Sequence, residues 1–391
     1  MINLKLKDSI TNSKDELTAL RRKLHSEPEL SFEEFKTTAF VCEYLDKLGI
    51  SYRKTEPTGV IAEIQGTPGG KTIALRGDMD ALPVQQLNTH VPYASKVEGK
   101  MHACGHDAHT SMLLIAAKVL SEVKDELPGN VRFLFQPAEE AAAGAKAMVD
   151  QGAMDGVDNV FGIHIWSQMP TNKVSCTPGP SFAAADIFKV KFKGRGGHGA
   201  IPEACIDAAL VASSFVMNVQ TVVSRTIDPQ SPAVLTVGKM VVGTRFNVIA
   251  ENAEIEGTVR TFHPDTRNHI EKSITQYAES VASIYGASAE VEYIRGTDAV
   301  DNDKESAELV QQVATEAFGS EVIYNEKPTM GGEDFSAFLT KAPGSFALVG
   351  SGNPEKDTEW AHHHGNFDID EDALVTGAEL YAQYAWAYLK K

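Results

Sequence analysis

The sequence has 391 residues, 42% apolar and 23% charged, and Lys+Arg 36 against Asp+Glu 53 leave a net charge of −17. That length allows two or three domains with real cores, and the composition excludes a disordered chain. An acidic balance without a basic stripe excludes a polyanion binder, so no nucleic-acid partner is expected.

The opening stretch MINLKLKDSITNSKDEL has no apolar run of the secretory kind, and the most apolar window, 112–120, is short and interrupted by Lys118. No membrane partner is expected. Cys42, Cys104, Cys176 and Cys205 are far apart with no C-x-x-C, which fits a reducing cytoplasm better than a disulfide framework.

Residues 15–24 and 31–48 read as amphipathic helices, the second stopped by Gly49. Short apolar strands follow at 72–76, 131–135 and 160–165, with a helix at 110–123. This alternation predicts a mainly parallel sheet buried on both faces. Near Ala185 the pattern changes: DIFKVKFK at 186–193 alternates strictly, so one face is wet. A helix at 205–223, strands at 233–242 and 253–262, a helix carrying Ile270 to Ile284 and a strand at 289–294 complete a strand–helix–strand–strand–helix–strand order. That is the ferredoxin-like split βαβ arrangement on an antiparallel sheet. A helix at 306–318, a strand at 345–350 and a closing helix at 372–389 restore the first pattern. The expectation is an α/β catalytic domain, 1–185 and 296–391, interrupted by a small domain at 186–295, with linkers near 183 and 296 that could act as hinges.

Chemistry gathers where the large-domain strands end. The 72–76 strand runs into Asp78 and Asp80, the 131–135 strand into Glu139 and Glu140, and His164 stands near the end of its own strand. Ligands of open α/β sheets bind at those carboxyl ends. The loop MHACGHDAH at 101–109 adds three histidines and Cys104. With Glu140 and His164 it makes a mixed S/N/O donor set that suits zinc, with manganese and cobalt as alternatives. The plain alternative is a helix-capping loop around a buried cysteine. Glu139 and Glu140, as neighbours on a strand end, should point opposite ways, one to a metal and the other to water. His362, His363 and His364 form a run that would by itself read as a solvated loop. GRGGHG at 194–199 matches G-x-G-x-x-G, but its strand alternates with lysines and no acidic residue stands about 20 positions on, which argues against a dinucleotide site.

Eight segments, in order, resemble one known family: RGDMDALP at 76–83, MHACGHDAH, QPAEE at 136–140, GIHIW at 162–166, GRGGHGAIP, FNVIAENAEIEGTVRTF at 246–262, GGEDF at 331–335 and HHGNFDIDEDAL at 363–374. The family is that of the dinuclear-metal amidohydrolases, which includes hippurate hydrolase, auxin-conjugate hydrolases, N-acetyl-diaminopimelate deacetylase and bacterial aminoacylases. The resemblance implies Cys104, His106, Glu140, His164 and His363 as ligands of two divalent ions, with Cys104 shared. It implies Glu139 as general base and acid, His198 as the group that steadies the oxyanion, Asn247 and Arg260 as substrate contacts, and Asp80 as a support behind the ligands. It also implies a homo-oligomer, dimer or tetramer, and hydrolysis of small N-acyl amino acids. Wider relatives, the dipeptidases and carboxypeptidases, carry a metal-binding His where Asp78 stands, so the hippurate-hydrolase branch fits better. Counting back from Phe367 selects His363, although His362 and His364 stay open. The rivals are a peptidase acting on unmodified peptides, a nicotinamide-dependent oxidoreductase using GRGGHG, and a non-catalytic metal-binding protein.

Overall fold

The computed structural model describes residues 2–391, and the chain divides into two compact units. The first comprises the chain through Ser181 with Asp301–Lys327 and Asp334–Lys391; the second comprises Phe182–Val300 with Pro328–Glu333. Among the described residues no helix is long and apolar enough to cross a membrane.

The first unit is built on a seven-stranded sheet. Across it run Ser51–Lys54, Val60–Ile64, Asn130–Gln136, Thr72–Asp78, Asn159–Pro170, Gly344–Gly352 and Val174–Ser175. The four strands from Asn130–Gln136 to Gly344–Gly352 are parallel, and the flanking pairs are antiparallel. Thr72–Asp78 and Gly344–Gly352 are buried at every position, which is why each has a short apolar run at its centre, Ile73–Leu75 and Phe346–Val349. Helices His106–Ser121 and Ala373–Lys390 are themselves almost wholly buried. Leu113, Phe133, Phe161, Ile163, Leu380 and Tyr384 belong to one core.

Some boundaries differ from those expected. The helix anticipated at 110–123 begins at His106, so half of the histidine-rich loop is the first turn of a helix. The one anticipated at 31–48 begins at Phe35, because Leu30 bridges to Ala81 and the chain then turns, with Phe32 at φ +62° and the Glu33 amide donating to the Leu30 carbonyl at 2.8 Å. Helix Ile2–Asn12 and the short antiparallel strands Ser51–Lys54 and Val60–Ile64 were not anticipated. The first buries only Leu6 and Ile10, and the 51–54 strand is mostly exposed, so neither leaves a strong apolar period.

The second unit has a four-stranded, wholly antiparallel sheet. Its order is Ala233–Val242, Asn252–Thr261, Ala184–Lys193, Ser288–Thr297. Helices Ala208–Thr226 and Pro264–Ile284 pack against it through Val211, Phe215, Ile270 and Ile274, which meet Phe188, Val190 and Phe192. Ala184–Lys193 alternates between buried and wetter positions, as its sequence does. Arg267 clamps Asp186, with Nε at 2.8 Å from Oδ2, and Tyr293 donates its hydroxyl to the same oxygen at 2.8 Å.

Candidate metal centre

Three parallel strands supply the donors, two from beyond their ends and the third, contrary to the expected strand-end position of His164, from its middle. Thr72–Asp78 supplies Asp78 and, just beyond it, Asp80; Asn130–Gln136 leads into Glu139 and Glu140; Asn159–Pro170 carries His164. The segment before helix His106–Ser121 brings Cys104, and the helix's first residue is His106.

Hydrogen bonds fix the lone pairs of the imidazoles. His106 Nδ1 lies 2.9 Å from the Asp80 carbonyl and 3.2 Å from its Oδ1. A carbonyl only accepts, so Nδ1 carries the proton and Nε2 faces inward. His164 Nδ1 lies 2.5 Å from the Ile165 carbonyl, which turns its Nε2 to Cys104 Sγ at 3.5 Å. His109 is committed at both nitrogens. Its Nε2 accepts from the Ile165 amide at 2.8 Å, and its Nδ1 donates to Asp78 at 2.5 Å.

Among four three-residue donor clusters whose ligand atoms lie within 4.8 Å of one another, two contain Cys104: Cys104, His106 and Glu140, and Cys104, His164 and His362; the others are Asp78, His106 and His109, and Glu139, Glu333 and Asp334. His363 Nε2 lies 3.4 Å from Glu140 Oε1, and its amide donates to the Ala103 carbonyl at 2.7 Å. His363 has φ +67°, a left-handed conformation rare for a non-glycine residue and frequent at functional sites. His106 Nε2 and Glu140 Oε1, 3.9 Å apart, are buried without a hydrogen-bond partner among the described residues. Unpaired buried groups of this kind are costly unless something sits between them. A thiol, imidazoles and a carboxylate converging on such a gap fit a divalent cation.

The electrostatics differ from donor to donor. Burial pushes the Cys104 thiol well up, and Glu140 adds to it, so a cation would be what makes it a thiolate. Burial, then His109 and His362, hold His164 well below the usual imidazole range, leaving its lone pair open. Burial works against a charged His106, but Asp78, Asp80 and Cys104 outweigh it and raise it. Burial likewise opposes ionisation of Asp78, yet Arg76 at 2.7 Å and the two imidazoles keep its carboxyl well below the ordinary value.

Glu139 and Glu140 depart from expectation. They do not extend the strand and diverge; they lie in a turn beyond it, and each places a carboxylate oxygen 3.9 Å from His106 Nε2. The turn opens with Ala138 at φ +52°. Asp80 grips it, accepting from the amides of Glu139 at 3.1 Å and Glu140 at 3.0 Å. Two further residues hold this assembly and were not singled out in the sequence. Glu34, fully buried, accepts from the Ala138 amide at 2.8 Å, and Ser31 donates to Asp80 at 2.7 Å. A buried-face carboxylate at the head of an amphipathic helix is the signal that points to Glu34.

In the second unit, His198 lies on the two-residue strand Gly197–His198, paired with Val248–Ile249. Its Nδ1 accepts from the Ala200 amide at 3.0 Å, which leaves Nε2–H as an exposed donor. Asn247, also exposed, accepts from the Gly199 amide at 2.9 Å through its carbonyl. Arg260 Nη1 donates to Thr258 Oγ1 at 2.6 Å, and no carboxylate pairs with it among the described residues.

A profile of the peptidase family M20/M25/M40 matches residues 74–387, which span all of these ligand candidates. The chain belongs to that family. As an M20-type hydrolase it is a metal-dependent amidohydrolase. It is 42% identical over 368 residues to N-acetyl-L-cysteine deacetylase of Bacillus subtilis (strain 168), covering 94% of this chain and 86% of that one. It is 38% identical over 391 residues to thermostable carboxypeptidase 1 of Saccharolobus solfataricus, covering 99% of each. The structure superposes on the Bacillus subtilis YXEP protein, described as a dinuclear metal binding peptidase from the M20 family, with a TM-score of 0.87 and 35% identity over 97% of this chain and 99% of that one.

Proposed function

We propose that this M20 hydrolase cleaves the amide bond of N-acyl amino acids, N-acetyl or N-benzoyl among them, to a carboxylate and a free amino acid. The observation that carries the reading is the place of Cys104, common to two donor clusters and adjoining the Glu139 turn. Cys104, His106, Glu140, His164 and His363 would hold two divalent ions, zinc, manganese or cobalt. When bound, such a pair polarises a carbonyl and lowers the pKa of water. The chain's own residues do the rest. Glu139 takes the proton from the attacking water and delivers it to the leaving nitrogen. His198 offers its Nε2–H to the oxygen that gains charge, and Arg260, free of a carboxylate partner, is suited to that of the substrate. Asn247 adds a further substrate contact, and Asp80 keeps His106 and the Glu139–Glu140 turn in register. Residues 186–295 are read as an inserted ferredoxin-like lid and dimerisation domain, in an enzyme of the cytoplasm that works as a homo-oligomer.

Glu139→Gln preserves shape and removes the base. It should keep its full metal complement while kcat falls about a hundredfold or more. Near-wild-type turnover by the purified, metal-replete variant would refute the assignment. The likeness to the Saccharolobus carboxypeptidase favours a second reading, hydrolysis of unmodified peptides. A release assay over hippurate, N-acetyl amino acids and dipeptides, with each metal added back to stripped protein, separates the two. Dipeptides cleaved faster than every N-acyl amino acid would reverse the choice.

A further inference from the structure

The geometry points to Arg21 as the positioning residue that sets the two ligand-bearing segments, 104–107 and 363–371, against each other; this rests on the dinuclear reading above. Arg21 lies on helix Lys14–Ser26, on the same face as Leu17, Leu20 and Leu24. Nothing in that apolar face calls for a cation, yet the guanidinium is fully buried. Its three nitrogens reach three carboxylates. Nε donates to Asp107 Oδ2 at 2.8 Å, Nη2 to Asp368 Oδ1 at 2.8 Å and Nη1 to Glu371 Oε1 at 3.3 Å. Asp107 directly follows His106, and Asp368 and Glu371 lie just downstream of His363.

Each carboxylate is braced in turn. His25 Nδ1 sits 2.8 Å from Asp107 Oδ2, and Tyr93 donates to Asp368 Oδ2 at 2.8 Å while its ring lies 4.8 Å below the guanidinium. The His363 amide also donates to the carbonyl of Ala103, the residue just before the first segment. A buried cluster of this kind adds little net stability over apolar residues of the same volume. What the planar fork supplies, and a leucine could not, is direction: bonds at fixed angles to two separate stretches of chain. Metal ligands need that placement, because supports of this type commonly change affinity ten- to a hundredfold.

The test uses the full chain, stripped of metal and titrated with zinc against a chromogenic chelator, then with cobalt for the thiolate-to-metal absorption band. Arg21→Lys keeps the charge but loses the fork. Asp368→Asn keeps shape and the Arg21–Asp107 bond, and it carries the test if Arg21→Lys fails to fold. Arg22→Gln is the control, since Arg22 stands at the exposed edge, where it meets Glu371 at 3.0 and 2.6 Å and the Tyr93 ring at 4.9 Å, and has no bond to Asp107 or Asp368 among the described residues. The expected result is a folded variant, by near-ultraviolet dichroism, that binds at least one equivalent ten- to a hundredfold more weakly. Its cobalt band should be altered, with Arg22→Gln like wild type. Folded variants with wild-type affinity for both equivalents overturn the proposal and leave Arg21 a packing residue. Unmutated chain that takes up fewer than two equivalents overturns the dinuclear reading instead, and with it the purpose given to Arg21.

Discussion

Three consecutive histidines stand at 362–364, and their side chains meet three different surroundings. His364 stacks on Trp360 at 4.6 Å with 12° between the rings, and its Nδ1 accepts from the Asn366 amide at 3.0 Å. His362 is packed between Trp166 at 4.7 Å and Phe367 at 5.0 Å; its Nε2 accepts from the Ser167 amide, and burial pushes it down to about 3. His363 alone is held in a left-handed backbone conformation with Nε2 toward Glu140. His362 borders Cys104 and His164, so proximity by itself does not exclude it as a ligand. The strained backbone and the Glu140 contact favour His363. His363→Ala should therefore lose at least one metal equivalent, whereas His362→Leu should keep both at a cost of about 1–3 kcal/mol in stability from altered packing. Elemental analysis of the two purified proteins decides it: full occupancy in the first and loss in the second would move the ligand to His362.

At the scale of elements, the decisive object is the turn that carries Glu139 and Glu140, and a glycine pins it. A Cβ at Gly144 would lie 1.5 Å from the Pro137 carbonyl oxygen, and the Gly144 amide already donates to the Ala138 carbonyl at 3.1 Å. Backbone pressing on backbone cannot yield as a side chain would. Gly144→Ala should thus displace the Pro137–Ala138 segment, lower the melting temperature by several degrees and reduce turnover about tenfold or more, since small misplacements of catalytic groups are costly. A variant with unchanged kcat would show that the turn relaxes elsewhere. This turn also marks where the sequence stops being legible. Short apolar runs at 72–76, 131–135, 160–165 and 345–350 foretold the parallel strands, and the ends of the first two foretold where Asp80 and Glu140 would gather, whereas His164 lies in the middle of a strand that runs on to Pro170. The convergence of Glu139 on Glu140 did not follow from alternation, because it depends on a left-handed alanine and on Asp80 taking hold of two amides. Arg21 and Glu34 were hidden for a related reason. Their partners are remote in sequence, and a charge on an apolar helix face shows only that something must meet it.

For the whole molecule, the division of labour between the two units gives a sharp test. Every residue proposed to hold metal lies in the first unit, while His198, Asn247 and Arg260 lie in the second, which has its own hydrophobic core. Phe215 is fully buried in that core, with its ring 5.6 Å from that of Phe192. Truncating such a side chain to alanine usually costs about 3–5 kcal/mol. Within a chain of two cores, the loss should fall on the unit that contains it. Phe215→Ala is therefore expected to split thermal unfolding into two transitions, the lower belonging to the second unit. At a temperature between them, bound metal should stay at its full stoichiometry while hydrolysis of N-acyl amino acids fails. Calorimetry paired with metal analysis at that temperature reads both quantities on one sample. If metal is released in step with the lower transition, the ligand shell depends on the second unit and the assignment of all five ligands to the first is incomplete. If hydrolysis survives that transition, His198 and Arg260 have no part in the chemistry, and Glu139 with the metal site must suffice.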